Sequence, residues 1–360
     1  MYSEINIGNT IPLLIIISIF LFSFFSYLGI NEIRKWADSR NILDIPNERS
    51  SHTKPTPKGG GIVIVLLTVI GLLILYSIAN VNKNYLLLSV FIGSGLLIAG
   101  ISYLDDLYSL KNSIRFAVQG LAAVIAIYFV GSIQTISVPL IGEIAFGLFG
   151  LVITFIWLTG LTNIYNFMDG IDGIAAIQAI AAGIGWLIVG YVVNDLFIII
   201  VALLLLSTCL GFIFHNWQPA KIFMGDVGSA FIGFCYGYLA LYAYMLDSNL
   251  FIIGVIFVWP FIFDGTFTLF RRLSKKENIF QAHRSHIYQR LVIAGCSHRF
   301  VSSLYGILAF IGVGIGILLH AGSNSLQLLS LFVLIALCVF LLAFVIKREA
   351  RLTAQLTDVQ

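Results

Sequence analysis

Asp105 and Asp106 stand side by side at the end of a long apolar stretch. Carboxylates at a membrane edge are costly unless they are paired or hold a metal. Successive helical residues point ~100° apart, so the two need not face one ligand. One can hold Mg²⁺ or act as a base while its neighbour pairs with a cation such as Lys111. Segment 163–173 gathers Asn163, Asn166, Asp169 and Asp172, with glycines at 170 and 173 and no cation. If it runs into a helix, Asp169 and Asp172 share a face at i and i+3. The helix macrodipole alone would explain one of those acids, not the cluster. Around Asn216, the run 215–229 places Asp226 between Gly225 and Gly228 where the next apolar stretch begins. Such a turn frees backbone N–H groups, and Mg²⁺ uses one or two protein carboxylates plus waters and phosphates. A plain turn and helix cap would explain this run too.

Two basic islands complete the set. Residues 44–58 carry Arg49, His52, Lys54 and Lys58 among three prolines, then run into Gly59-Gly60-Gly61. The cations suit phosphate, and the glycines let backbone approach a ligand closely. Near the other end come Arg271, Arg272, Lys275, Lys276 and then His283-Arg284-Ser285-His286. If helical, His283 and His286 share a face, fit to hold a diphosphate or move a proton. Asp264 lies seven residues before Arg271, on the same helical side. Both islands are also what a basic loop on anionic lipid looks like. His298 and His320 do not stand out.

The elements that must position these residues are membrane spans. Hydrophobic residues make up 59% of the 360 and charged ones only 10%, which excludes a soluble domain. Apolar stretches of ~20 residues fall near 11–30, 59–78, 85–104, 113–131, 146–165, 173–193, 195–214, 228–246, 249–270, 301–319 and 325–346. With these eleven spans, Lys83 is the one Lys or Arg in the loops of its side; the rest of the 20 lie on the other. That asymmetry predicts an N-terminus outside, a C-terminus in the cytoplasm, and all polar islands on the cytoplasmic face. The expected fold is all-α, one polytopic helical bundle over 1–360. Loops 31–58, 105–112, 166–172, 215–227 and 271–300 would form its site. Residues 132–145, with Thr135, Ser137 and Pro139 among β-branched neighbours, suit a short hairpin.

Cys209, Cys235, Cys296 and Cys338 show no metal-site spacing and read as packing residues. The net charge of +3 gives no reason to expect nucleic acid. Residues 1–10 hold no Lys or Arg, so the first span does not read as a cleaved signal. The lipid bilayer is itself a partner, and a homodimer is compatible with this class. The constellation suits Mg²⁺-dependent chemistry on a phosphorylated soluble substrate at headgroup level, with Mn²⁺ as a substitute ion. A transporter is the competing class. It should show charge at mid-membrane depth, broken helices and inverted repeats, whereas only Asp264 nears that depth and no repeat is visible.

Four motifs occur in order: Pro46-Asn47-x-Arg49-x-x-His52 with the glycine run, Asp105-Asp106, Asn166-Phe-Met-Asp-Gly-Ile-Asp-Gly, and Asn216-x-x-Pro-Ala-x-x-Phe-Met-Gly-Asp-x-Gly-Ser. Over roughly residues 40–300 the chain resembles the polyprenyl-phosphate N-acetylhexosamine-1-phosphate transferases. The resemblance implies attack by undecaprenyl phosphate on the β-phosphorus of a UDP-N-acetylhexosamine, with UMP leaving. It implies that Asp105 and Asp106 activate the lipid phosphate and that Lys111 holds phosphate. Asp226, with Asp105, would bind Mg²⁺, while Asn166, Asp169 and Asp172 shape the nucleotide and metal region. The cytoplasmic (inner) membrane of a bacterium is the implied location. The muramoyl-pentapeptide branch of this family carries consecutive histidines where this chain has His283-Arg284-Ser285-His286. That departure resembles the enzymes that start O-antigen and other surface polysaccharides.

Overall fold

The computed structural model describes residues 7–46, 51, 53–79, 84–138, 142–278, 283–322 and 324–357. Arg49, His52, Lys83, Pro139, Gln281 and Ala282 lie outside that set. The chain is a multi-pass helical membrane protein. Among the described residues, ten helices are long and apolar enough to cross a bilayer, and a bent pair makes eleven if its two halves form one span.

The first five spanning helices are α1 (Ile7–Ser39), α2 (Gly61–Ile78), α3 (Tyr85–Tyr108), α4 (Asn112–Val130) and α5 (Phe149–Met168). Then follow α6 (Ile174–Val192), α7 (Leu196–Asn216) and α8 (Asp226–Leu246). The bent pair is α9 (Asn249–Phe257) and α10 (Trp259–Ser274), and a short α11 (Ile287–Ile293) leads to α12 (His298–Ala321) and α13 (Asn324–Thr357). A two-residue ribbon, β1 (Leu43–Asp44) against β2 (Thr56–Pro57), lies at the polar end. The hairpin expected near 132–145 forms at the other end, β3 (Thr135–Val138) antiparallel to β4 (Gly142–Ala145).

Composition sorts the helices from centre to rim. α7 is apolar on every side and is buried along most of its length, as are α6 and α8. Alanines and glycines of α6, among them Ala175, Ala179 and Ala182, let it lie close against α7. α1 and α13 present most of their apolar surface outward, toward lipid. At 33 and 34 residues they measure about 50 Å, well over a hydrocarbon core of about 30 Å. The stretch 31–39, expected as loop, is therefore the continuing helix α1.

The ninth span is not one straight helix. At Val258, where φ is −120°, α9 stops and α10 leaves at 79°. Pro260 in the first turn of α10 has no N–H to continue the ladder. Two side chains hold the corner. Gln178 Nε2 donates to the Phe257 carbonyl at 2.9 Å, and Trp259 Nε1 donates to the Leu308 carbonyl at 3.0 Å. A carbonyl freed inside a membrane bundle needs such a partner.

Candidate active site

The glycine run meets backbone, not ligand. The amides of Gly60 and Gly61 donate to the carbonyls of Phe223 and Met224 at 3.0 and 2.8 Å, and Phe223 N donates to the Pro57 carbonyl at 2.8 Å. A Cβ on Gly61 would strike the backbone of Gly228, and one on Gly228 would strike Gly61. The starts of α2 and α8 thus touch main chain to main chain. This joint fixes Lys58 on one side and Asp226 on the other.

Asp105 and Asp106, one helical step apart, look in different directions. Asp106 Oδ2 accepts from Val227 N at 3.3 Å, so it caps α8 and lies favourably at that helix's positive end. Lys58 Nζ donates to the Asp106 carbonyl at 2.7 Å and lies 3.6 Å from its Oδ1. Asp105 Oδ1 accepts from Leu110 N at 2.7 Å, while Oδ2 meets Arg115 Nη1 at 2.6 Å. Arg115 also reaches Asp226 Oδ2 at 3.2 Å and donates to Asn166 Oδ1 at 3.3 Å. The cations serving the acidic pair are thus Arg115 at Asp105 and Lys58 at Asp106, not Lys111. Lys111 is the exposed residue before α4, and Arg115 stands one helical turn further on, facing the acids.

A second group forms where α6 and α12 begin. Residues 169–172 make a turn, not the expected helical face, and Gly173 enters α6 at a φ of +78°. Asn216 ties this turn to its own loop, accepting from Gly173 N at 2.8 Å and donating to the Ile222 carbonyl at 2.9 Å. Asp172 Oδ2 accepts from Ala220 N at 3.1 Å, and its Oδ1 lies 3.2 Å from His298 Nδ1. Ser302, one turn into α12, donates to the Asp172 carbonyl at 2.6 Å.

Asp264 is fully buried and serves the fold from inside. It accepts from Ile287 N at 2.8 Å, Tyr288 N at 3.0 Å, Tyr305 OH at 2.6 Å and Thr268 Oγ1 at 3.2 Å. His286 Nδ1 lies 3.0 Å from its Oδ1. It anchors the start of α11 and has no oxygen left for a substrate, which corrects its expected binding role. His283 and His286 are not on one helical face, because the helix starts only at Ile287; their rings are 5.1 Å apart. Burial, then His286 and Arg272, lower the His283 pKa to about 4. Tyr288 OH donates to the Phe167 carbonyl at 3.0 Å and joins this segment to the end of α5.

These groups enclose a cavity of about 350 Å³. Lys58, Asp106 and Asp226 line it on the α2–α8 side, and Asp169, Gly170, Asp172, Asn216 and His298 line the rest, with Phe223, Asn166 and Gln289. Several expected residues are elsewhere. Asn163 spends its amide on Gln119 and the Thr159 carbonyl, at 2.7 and 2.8 Å, within the α4–α5 packing. Lys54 is exposed, and neither it, Asp105, His283, Arg284 nor His286 is on the wall. Lys58, expected from the first basic island, is on the wall, while His298, Arg115 and Gln289 join the site without having been singled out for it. His298 is 126 positions from Asp172, and no local pattern links the two.

The wall suits a divalent cation that keeps most of its water. No described donor reaches the Asp169 carboxylate; burial and then Asp226, Asp106 and Asp172 push its pKa well above the ordinary range. Acids crowded in this way are relieved by a positive ion. Among the described residues no three His, Cys, Asp or Glu form a closed metal cage. Mg²⁺, which takes one or two carboxylates, fits Asp226 and Asp169 better than Asp105, whose oxygens are held by Leu110 and Arg115.

Comparison with known proteins adds an independent line. Residues 87–244 match the sequence model of glycosyl transferase family 4. A Bacillus subtilis (strain 168) protein named as a probable undecaprenyl-phosphate N-acetylglucosaminyl 1-phosphate transferase is 31% identical over 326 residues, 89% of each chain. The undecaprenyl-phosphate alpha-N-acetylglucosaminyl 1-phosphate transferase of Salmonella typhi is 29% identical over 92% of this chain and 90% of its own. A phospho-N-acetylmuramoyl-pentapeptide-transferase of Prochlorococcus marinus (strain MIT 9301) is 32% identical over 71% of both.

Proposed function

Because the chain belongs to glycosyl transferase family 4, with the polyprenyl-phosphate N-acetylhexosamine-1-phosphate transferases, we propose the following reaction for it. It moves an N-acetylhexosamine 1-phosphate from a UDP-sugar to undecaprenyl phosphate. The observation that carries this reading is a cavity lined by several acids and by Lys58 at one end of a lipid-embedded bundle. A water-soluble donor and a lipid phosphate can meet only at such a boundary.

In this reading an oxygen of the lipid phosphate attacks the β-phosphorus of the donor. The bond from that phosphorus to the bridging oxygen breaks, and UMP leaves with the electron pair. The product is undecaprenyl diphosphate bearing the sugar. Asp106, on the wall, takes any proton left on the attacking phosphate, and Lys58 beside it offsets charge. Arg115 holds Asp105 and Asp226 in place and lowers the local negative charge. Asp226 and Asp169 would hold Mg²⁺ or Mn²⁺, which when bound neutralises charge on the diphosphate.

The asymmetry of Lys and Arg supports a site facing the cytoplasm of a bacterial inner membrane, where UDP-sugars are made. N-acetylglucosamine is the favoured sugar, since two of the relatives above carry it in their names. The interrupted histidine run supports the surface-polysaccharide branch, including the first step of O-antigen synthesis, over a muramoyl-pentapeptide donor. One feature, the break at Val258, favours a transporter. It has no counterpart among the described residues, and the helix beyond it carries the Asp264 anchor.

The deciding experiment is UMP release by purified protein in detergent with undecaprenyl phosphate, Mg²⁺ and a panel of UDP-N-acetylhexosamines. Turnover with one donor is expected. Folded protein that releases no UMP from any donor overturns the reading.

A further inference from the structure

We propose that Glu349, just past the last apolar turn of α13, is a positioning residue for the cavity wall. It acts through Arg290 on α11, the helix that carries the wall residue Gln289. The inference rests on the transferase reading above and adds one residue to its machinery.

The pattern of α13 aims Glu349 inward. Leu341 and Val345 are fully buried on one stripe of that helix, and one turn further the stripe reaches Glu349. It is the one acid in the 34 residues of α13, set among Lys347, Arg348 and Arg351. Its two oxygens take Arg290 as a fork: Nε donates to Oε1 and Nη2 to Oε2, each at 2.7 Å. A bidentate pair fixes direction as well as distance. The Glu349 side chain is 40% exposed, and a pair so open to water adds little to stability. What it supplies is orientation.

Orientation matters because α11 is only seven residues long. Asp264 grips its first turn through Ile287 N and Tyr288 N, and the Arg290 fork holds its other end. Gln289 stands between these anchors. It lines the cavity, and its Oε1 accepts from His286 N at 3.3 Å. Tyr288 lies so close to the wall turn that a Cβ on Gly170 would strike its hydroxyl. Arg271 and Lys275 also act electrostatically on Glu349. Without that carboxylate three cations face one another, and their repulsion loosens the second anchor.

The wall beside α11 is the 169–172 turn, where the donor's diphosphate and its cation belong in this reading. Asp106 and Lys58 serve the acceptor phosphate from the α2–α8 side. A loosened α11 therefore weakens the hold on the UDP-sugar and spares the acceptor.

The test is steady-state kinetics on the full chain as wild type, Glu349→Gln, Arg290→Gln, the double variant, and the swap of Arg290→Glu with Glu349→Arg. Glu349→Gln should raise KM for the UDP-sugar about two- to fivefold, the reach of an ion pair this exposed. kcat, KM for undecaprenyl phosphate and melting temperature should stay near wild type. The double variant should lose no more than the worse single one, and the swap should recover most of the loss. Lys347→Gln changes charge on another side of the same helix and should match wild type. A KM for the UDP-sugar unchanged by Glu349→Gln overturns the inference, as do additive losses in the double variant. So does a lower melting temperature with that KM intact, the mark of a merely structural pair. Wild type that turns over no donor overturns the transferase reading, and this inference with it.

Discussion

Arg115, in the first turn of α4, lies 3.2 Å from Asp226, the first residue of α8, and 2.6 Å from Asp105 at the end of α3. One guanidinium thus joins three helices just behind Asp226, which lines the cavity. Its planar fork suits two carboxylates at once, which an ammonium cannot imitate. Arg115→Met should lower the rate of UMP release by about 10²-fold or more, the usual cost of removing a charge-stabilising donor. Arg115→Lys should restore only part of it. Full activity in Arg115→Met, measured at saturating substrates, would remove Arg115 from the machinery.

Cation dependence follows from the crowding around Asp169. Chelation should abolish UMP release, Mg²⁺ should restore it and Mn²⁺ should restore it in part. Asp169→Asn should raise the Mg²⁺ concentration needed for half-maximal rate, and Asp226→Asn should lower the rate by about 10²-fold or more. A titration of rate against free Mg²⁺ checks both, and undiminished turnover in chelator would refute the assignment.

Asp264 makes a prediction about stability. Asp264→Asn loses charge-assisted bonds worth about 1.5–3 kcal/mol each. It should melt several degrees lower and weaken the anchoring of α11. Tyr305→Phe removes one donor and leaves four contacts, so its drop should be smaller, that of a single such bond, about 1.5–3 kcal/mol. Thermal unfolding in detergent reads both, and a larger loss in Tyr305→Phe would contradict the central place of Asp264.

His283 gives a pH signature. Burial, then His286 and Arg272, hold its pKa at about 4 against an ordinary 6.5. Above pH 6.5 the ring is neutral in folded and unfolded chains alike. As the pH falls below 6.5 the unfolded chain takes a proton that the folded one refuses until about pH 4. Stability from this residue should therefore decline across that window. Melting temperatures of wild type and His283→Gln between pH 4 and 7 test this. The variant should show the shallower decline, and parallel curves would rule the effect out.

The spans and their common polar end were legible because a bilayer imposes ~20 apolar residues per crossing and sorts cations by side. Asp105, Asp106, Asp169, Asp172 and Asp226 were legible because acids beside apolar helices need a reason. What escaped depended on tertiary geometry. The choice of Arg115 over Lys111 is a matter of one helical turn. The pairing of His298 with Asp172 spans distant parts of the chain, and His298 looked like the edge of a basic loop. The corner at Val258 did leave a trace in Pro260, but hydropathy alone reads straight through it. The glycines at 59–61 were seen as room for a ligand, whereas the amides of 60 and 61 are spent on the backbone of Phe223 and Met224.

That contact between Gly61 and Gly228 also acts as a gear. Lys58 is three residues before one glycine and Asp226 two before the other, so neither charged group has an independent mounting. Any side chain that pries the two helix starts apart moves the ammonium and the carboxylate together. The spacing between the cationic and acidic halves of the cavity is thus set by the thickness of two polypeptide backbones. Change confined to surrounding side chains can retune the chemistry at either half but cannot reset the distance between them.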